Sequence, residues 1–128
     1  MRITSLGSGS RGNCTLIEDE NTCVLVDLGF TLKEIERRLH RIGRTPQDIS
    51  GVLVTHEHSD HIHGVGAFAR KHKTAVYLTP GTYSARPMGD VPNLNRINCH
   101  RPFEIGSLSI EPLAVPHDAR EPCQYVIC

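Results

Sequence analysis

Val54-Thr-His-Glu-His-Ser-Asp-His-Ile-His-Gly64 is the stretch on which the fold and the chemistry of this chain turn. Four histidines and two carboxylates fall within it, directly behind the apolar, β-branched run Gly51-Val-Leu-Val-Thr55. A short run of that kind is the pattern of a buried strand, and the polar cluster starts where it stops. His56 and His58 are two apart in chain still extended from the strand, so their rings project to one side and can share a metal. Asp60 and His61 follow as the chain turns. Adjacent residues cannot both point where the first pair points, so these two suit a second metal beside the first.

Imidazole nitrogen with a carboxylate is a donor set that borderline divalent ions accept; zinc fits best, and manganese or iron also fit. A lone His-x-His is equally well a solvated, histidine-rich loop. The full His-x-His-x-Asp-His is far more specific and favours a metal site.

These residues resemble the metal-binding motif of the metallo-β-lactamase superfamily. The resemblance extends along the whole chain. Leu6-Gly-Ser-Gly-Ser-Arg-Gly-Asn-Cys14, Val24-Leu-Val-Asp-Leu-Gly29, and Val115-Pro-His-Asp-Ala119 followed by Glu121-Pro122 are most similar to the YycJ/WalJ-like branch. It implies an α/β fold, the αβ/βα four-layer sandwich, of which residues 1–128 form one domain corresponding to about the N-terminal half. A bridging aspartate and a last histidine, both in the superfamily's second half, have no matching position here. The chain therefore reads as a truncated half, and an inner sheet face without its covering layer is expected to associate with itself or with a second half.

Asp27 closes an apolar run beside Gly29, and a carboxylate at the end of a buried strand must find partners or stay in water. On residue pattern alone it is simply the first polar residue after the strand. By its match to the superfamily's first motif it resembles the aspartate that lies behind the ligands and orders the histidine loop through hydrogen bonds. His117, at the end of the strand Leu113-Ala-Val115, occupies a position from which a third imidazole can close on His56 and His58. By resemblance it is the third-motif ligand. The Gly-rich loop Gly7 to Gly12 is either a flexible turn or a cradle whose amides and hydroxyls, with Ser8, Ser10 and Asn13, hold an oxyanion or phosphate. Resemblance favours the cradle, because the superfamily's corresponding loop lies near the metals.

Length and composition set the remaining bounds. A chain of 128 residues is one domain by size, with apolar content for a modest core. Fourteen basic and fourteen acidic residues give no net charge, so the global field does not steer the chain toward nucleic acid or anionic membrane. No apolar run approaches the length of a membrane span and the N-terminus does not read as a signal peptide, which makes the cytoplasm the expected compartment. Five cysteines without Cys-x-x-Cys fit neither a disulfide framework nor a zinc knuckle. Most read as small core residues; Cys14 and Cys23 could meet across a hairpin.

Elsewhere, Arg2 to Leu6, Thr15 to Ile17 and Thr22 to Val26 predict a β-meander. Thr31 to Ile42 predicts a helix capped by Thr31 and Glu34 and stopped by Gly43, with a solvated face of Lys33, Arg37, Arg38 and Arg41. Gly64 to His72 predicts a second helix, Ala75 to Leu78 a strand, and Thr79 to Thr82 a short helix or turn. Arg86 to Asn98 reads as loop. Phe103 to Ile105 with Leu108 to Ile110 predicts a hairpin, and Gln124 to Cys128 a last strand. His63, His72 and His100 carry no site role in this reading.

The functional expectation is a metal-dependent hydrolase acting through a metal-bound hydroxide, which Asp60 orients as the catalytic carboxylate. The branch resemblance implies a phosphodiester substrate, with DNA and exonuclease action as the specific case, and one to two ions per full site. The rival reading is a non-catalytic metal-binding half-domain that associates with itself or a partner. Weak or absent turnover is expected of this chain on its own.

Overall fold

The computed structural model describes residues 1–116 and 118–128. Strands β1 (Arg2–Gly7), β2 (Cys14–Asp19) and β3 (Thr22–Val26) form the expected antiparallel meander, with Leu16 opposite Leu25 and Ile17 opposite Val24. β3 then pairs in parallel with β4 (Gly51–Leu53), which pairs in parallel with β5 (Val76–Leu78) and that with β6 (Leu94–Arg96). The result is one six-stranded sheet in the order β1-β2-β3-β4-β5-β6. Parallel neighbours need long crossovers, and the helices supply them.

Helix α1 (Leu32–Arg41) links β3 to β4. The hydroxyl of Thr31 accepts the Glu34 amide at its start, and Ile35 and Leu39 are buried. It ends in a Schellman motif: Gly43 at φ 75 directs its amide to His40 O while the Arg44 amide reaches Leu39 O. The short helix α2 (Ser59–Ile62) and helix α3 (Val65–His72) link β4 to β5, and α4 (Pro80–Ala85) follows β5. Glu34 pairs with Arg37 and Arg38 on the cationic face of α1, and Glu36 with Lys71 of α3.

Alternation along the central strands decides where the core lies. Leu16, Leu25, Val52, Val54, Val76 and Leu78 point to the helices, where they meet Ile35, Leu39 and Phe68. Ile17, Val24 and Leu53 point the other way and meet Ile105, Leu108 and Ile110. Strands buried on both faces read as continuous apolar runs, which is why β3 and β4 are visible in the sequence.

Those last three residues belong to a second, antiparallel sheet of β7 (Phe103–Ile105), β8 (Leu108–Ala114) and β9 (Cys123–Ile127). The expectation that the inner face of the first sheet lacks a cover is therefore corrected: the chain's own β7, β8 and β9 fold back onto it. The reason is the period-two pattern of β8, where Leu108, Ile110 and Pro112 are buried and Ser109, Glu111 and Leu113 are exposed. Ser107 ties the hairpin down through Asp19 and Thr22. The opposite face of the second sheet carries Leu113 and Val126 in the open, each 42% exposed.

Two further differences concern strand extents. Leu108 to Ala114 is one strand rather than two, and β6 lies inside the stretch read as loop. Cys14 and Cys23 occupy opposite ends of the β2–β3 ladder and are free thiols; the close pair is Cys99 and Cys123, with sulfurs 3.6 Å apart in the interior. Burial pushes the Cys123 thiol up to about 12. Among the described residues no helix is long and apolar enough to cross a membrane.

Candidate metal centre

β3 and β4 run side by side in parallel and deliver Asp27 and Thr55 to the same end of the sheet. The Asp27 amide continues the ladder by donating to Leu53 O at 2.7 Å, but its backbone has already turned to φ 63. A non-glycine residue in the left-handed region is uncommon and tends to mark a functional site. The turn aims a carboxylate only 4% exposed back under the histidine loop. Burial without partners would be costly, and Asp27 meets that cost with three donors. The Thr55 amide reaches Oδ1 at 2.7 Å, the Thr55 hydroxyl reaches Oδ2 at 2.7 Å, and His61 Nδ1 reaches Oδ2 at 2.6 Å.

These bonds fix the tautomers of two rings. A threonine hydroxyl has one proton, and here it goes to Asp27, so toward His56 Nδ1, 2.8 Å away, the same oxygen can only accept. His56 is thereby protonated on Nδ1 and presents its lone pair on Nε2. His61 donates from Nδ1 to a carboxylate and also presents Nε2. That is the arrangement in which a buried carboxylate prepares imidazoles for a cation. The hydrogen bond to Asp27, together with the charges of Asp27 and Asp60, raises the His61 pKa against the opposing effect of burial.

The rings converge. His56 and His61 have centroids 4.1 Å apart, and His56 and His58 are 4.6 Å apart edge to face. Donor atoms of Asp27, His56 and His61 lie within 4.8 Å of one another. His58 caps α2, its carbonyl accepting from the His61 and Ile62 amides. That single helical turn presents Asp60 next to His61, with Asp60 Oδ2 3.6 Å from His61 Nε2. The structure thus brings His56, His58, Asp60, His61 and Asp27 together.

His117 lies outside the described residues, but the chain that follows it is anchored to the histidine loop. The Cys123 amide donates to Thr55 O at 2.8 Å, and the Arg120 amide to Glu57 Oε2 at 3.0 Å. Tyr125 Oη donates to Val54 O at 2.6 Å.

Asn13 is engaged in bonds within the chain. Its Oδ1 accepts the Gly9 amide, and its Nδ2 donates to Gly9 O and to both the carbonyl and Oδ2 of Asp60. Ser8 and Ser10 are exposed on the same loop, and Ser10 and Arg11 line a cavity of about 680 Å³ together with Ser59, Asp60 and His63. Thr55, Gly29 and Gly64 were missed as contributors to the site, and the bond from Asn13 to Asp60 was not foreseen. A Cβ on Gly29 would lie 1.9 Å from Asp60 O and one on Gly64 2.0 Å from Phe30 O, so both glycines permit a close backbone approach. Glycines flanking two polar motifs were the available signal.

Fold, motif and site together agree with a match over residues 7–115 to the metallo-beta-lactamase superfamily, and the chain belongs to that family. Its relatives include the exodeoxyribonuclease WalJ of Streptococcus pneumoniae serotype 2 (strain D39 / NCTC 7466), 39% identical over 132 residues that cover 97% of this chain and 48% of that protein. The exodeoxyribonuclease YycJ of Bacillus anthracis is 35% identical, covering 98% of this chain and 49% of that protein. Among solved structures, a metallo-beta-lactamase of Cronobacter sakazakii superposes with a TM-score of 0.82 at 13% identity, covering 98% of this chain and 51% of that one. At such identity the likeness concerns the fold. The chain spans about half the length of the curated relatives it matches.

Proposed function

We propose that this chain carries the histidine half of the active site of a metal-dependent phosphodiesterase, with DNA as the substrate class. The observation that carries the reading is the shared hydrogen-bonding of Asp27, Thr55, His56 and His61, which leaves Nε2 of both rings as the acceptor nitrogen. Imidazoles held through Nδ1 beside a carboxylate fit a divalent cation, zinc first and manganese or iron as well. His56 and His58, with His117 as the third ligand by family pattern, would hold one ion, and Asp60 with His61 a second. A bound divalent ion supplies Lewis acidity, making water a nucleophile at neutral pH and stabilising charge on the attacked phosphoryl group.

The chain's own residues do the rest. Asp27 holds the His61 ring through its Nδ1 proton and, through Thr55, the His56 ring. Asp60 borders the cavity and is the carboxylate placed to orient the attacking water and take its proton. Ser10 and Arg11 line the same cavity and offer a hydroxyl and a cation to a phosphate. The relatives named as exodeoxyribonucleases favour DNA over other esters.

The test is turnover of a chromogenic phosphodiester and of duplex DNA with free ends by zinc- or manganese-loaded protein, with Asp60→Ala beside it. Metal-dependent cleavage lost in the variant supports the reading. Equal metal content in the wild type and a His56→Ala/His58→Ala variant sinks it. A second reading, a non-catalytic metal-binding unit that associates with itself or with a second half, is favoured by Leu113 and Val126 exposed on the outer face of the second sheet. A sedimenting species that stays monomeric at tens of micromolar while hydrolysing the diester would dispose of it.

A further inference from the structure

We propose that Asn13 is a positioning residue for Asp60: its carboxamide staples the Gly-rich loop to α2 and fixes the direction in which the Asp60 carboxylate points. The inference rests on the reading of Asp60 as a ligand of the second metal. Asp60 is the second residue of a four-residue helix, and its side chain is 32% exposed, so neither packing nor a long helix holds its rotamer. Among the described residues, the hydrogen bond to that carboxylate is donated by Asn13 Nδ2, to Oδ2 at 3.1 Å.

The same amide group organises the loop. Oδ1 accepts the Gly9 amide at 3.1 Å and Nδ2 donates to Gly9 O at 2.8 Å, closing the loop on itself. Nδ2 also donates to Asp60 O at 3.1 Å, and that carbonyl accepts the Asn13 backbone amide at 2.7 Å. The Asn13 carbonyl in turn accepts the Gly29 amide at 3.1 Å. Loop, strand end and α2 are thus joined at one residue.

The job needs a donor and an acceptor on one short planar group, which is what asparagine supplies. An aspartate would turn the donor into a carboxylate facing a carboxylate. A serine is one bond shorter and can serve the loop without reaching Asp60. Ser10 and Arg11 lie on the same loop, so the wall offered to substrate and the carboxylate offered to metal are held by one clamp.

Metal-free wild type, Asn13→Ala, Asn13→Ser and Asp60→Ala are titrated with zinc and with cobalt(II), reading heat and the visible cobalt absorption. The wild type is expected to show a tight and a weaker class of site. In both Asn13 variants the tight class and its cobalt spectrum stay as they are, while the weaker class loses about 10- to 100-fold in affinity. The serine variant carries the test if the alanine variant does not fold. An unchanged weaker class in the Asn13 variants, with that class lost in Asp60→Ala, overturns the role given to Asn13 and leaves Asp60 as a ligand. Equal weakening of both classes also overturns it, because Asn13 would then be only structural. An unchanged weaker class in Asp60→Ala shows instead that the reading of Asp60 has failed.

Discussion

Asp27 adopts φ 63 at the end of a buried strand, and its carboxylate serves Thr55 and His61 together. Replacing it with asparagine keeps the shape but turns one acceptor into a donor, facing the Thr55 amide if it takes the place of Oδ1, or the Thr55 hydroxyl and the His61 Nδ1 proton together if it takes the place of Oδ2. One buried donor is then unpaired, a cost of about 1–3 kcal/mol in metal-free stability. Orientation of both rings is lost as well, so metal affinity should fall by roughly 10- to 100-fold. Chemical denaturation and metal titration of Asp27→Asn check the two effects separately.

The His61–Asp27 bond also makes the site respond to pH. The His61 pKa is raised in the folded chain, chiefly by that bond, so the folded state binds the proton more tightly than the unfolded one. Its contribution to metal-free stability is full below the unfolded histidine value and is lost as pH rises through the raised folded value. Metal loading should run the opposite way, because the proton and the ion compete for His61. Melting curves of the metal-free protein and zinc titrations across pH 5 to 8, roughly the histidine range, should show opposite trends. Parallel trends would contradict the assignment of His61.

At the level of elements, two glycines are required for different physical reasons. Gly43 ends α1 at φ 75 with open space where a side chain would go, so Gly43→Ala should cost about 1–2 kcal/mol from backbone conformation alone. Gly29 has no such dihedral constraint. Its Cβ would strike the Asp60 carbonyl at 1.9 Å, which forces α2 away from β3. Gly29→Ala should therefore destabilise the chain by about 1–3 kcal/mol or more and also weaken metal binding. Urea melts of both variants with a metal titration alongside separate the cases, since only Gly29→Ala should move the metal affinity. The helix α1 and its stop were legible in the sequence because cap, apolar spacing and terminal glycine agree. β6 was not, because Leu94-Asn-Arg96 carries no alternation and is a strand only by pairing with β5.

Across the whole molecule, stability depends on the contact between the two sheets. Ile110 is fully buried on β8 and packs in the cluster that holds Ile17, Val24 and Leu53 of the first sheet. Ile110→Ala should cost about 2–5 kcal/mol, the range for a large aliphatic side chain removed from a well-packed core. Leu113→Ala, on the solvent side of the same strand, should change stability by less than about 0.5 kcal/mol. Denaturation midpoints of the pair check that the second sheet is an integral layer. Similar small effects for both would mean that the sheets part easily.

The sequence by itself determined the family, the strand that delivers the histidine motif, and the identity of the clustered side chains. Those features depend on neighbours close in the chain: a β-branched run, residues two apart in extended backbone, a capped helix. Only the tertiary structure decided what those side chains do for one another. Thr55 fixes a tautomer because β3 and β4 lie in register, Val26 opposite Leu53, and Asn13 reaches Asp60 across 47 residues of chain. The cover over the first sheet was likewise decided there, against the expectation of an open face, because an alternating β8 states that one face is buried but not against what. Cys99 and Cys123 meet only because β9 returns beside Thr55. Hydrogen-bond partners and facing layers are set by which segments the sheet places together, and no local pattern in the chain carries that information.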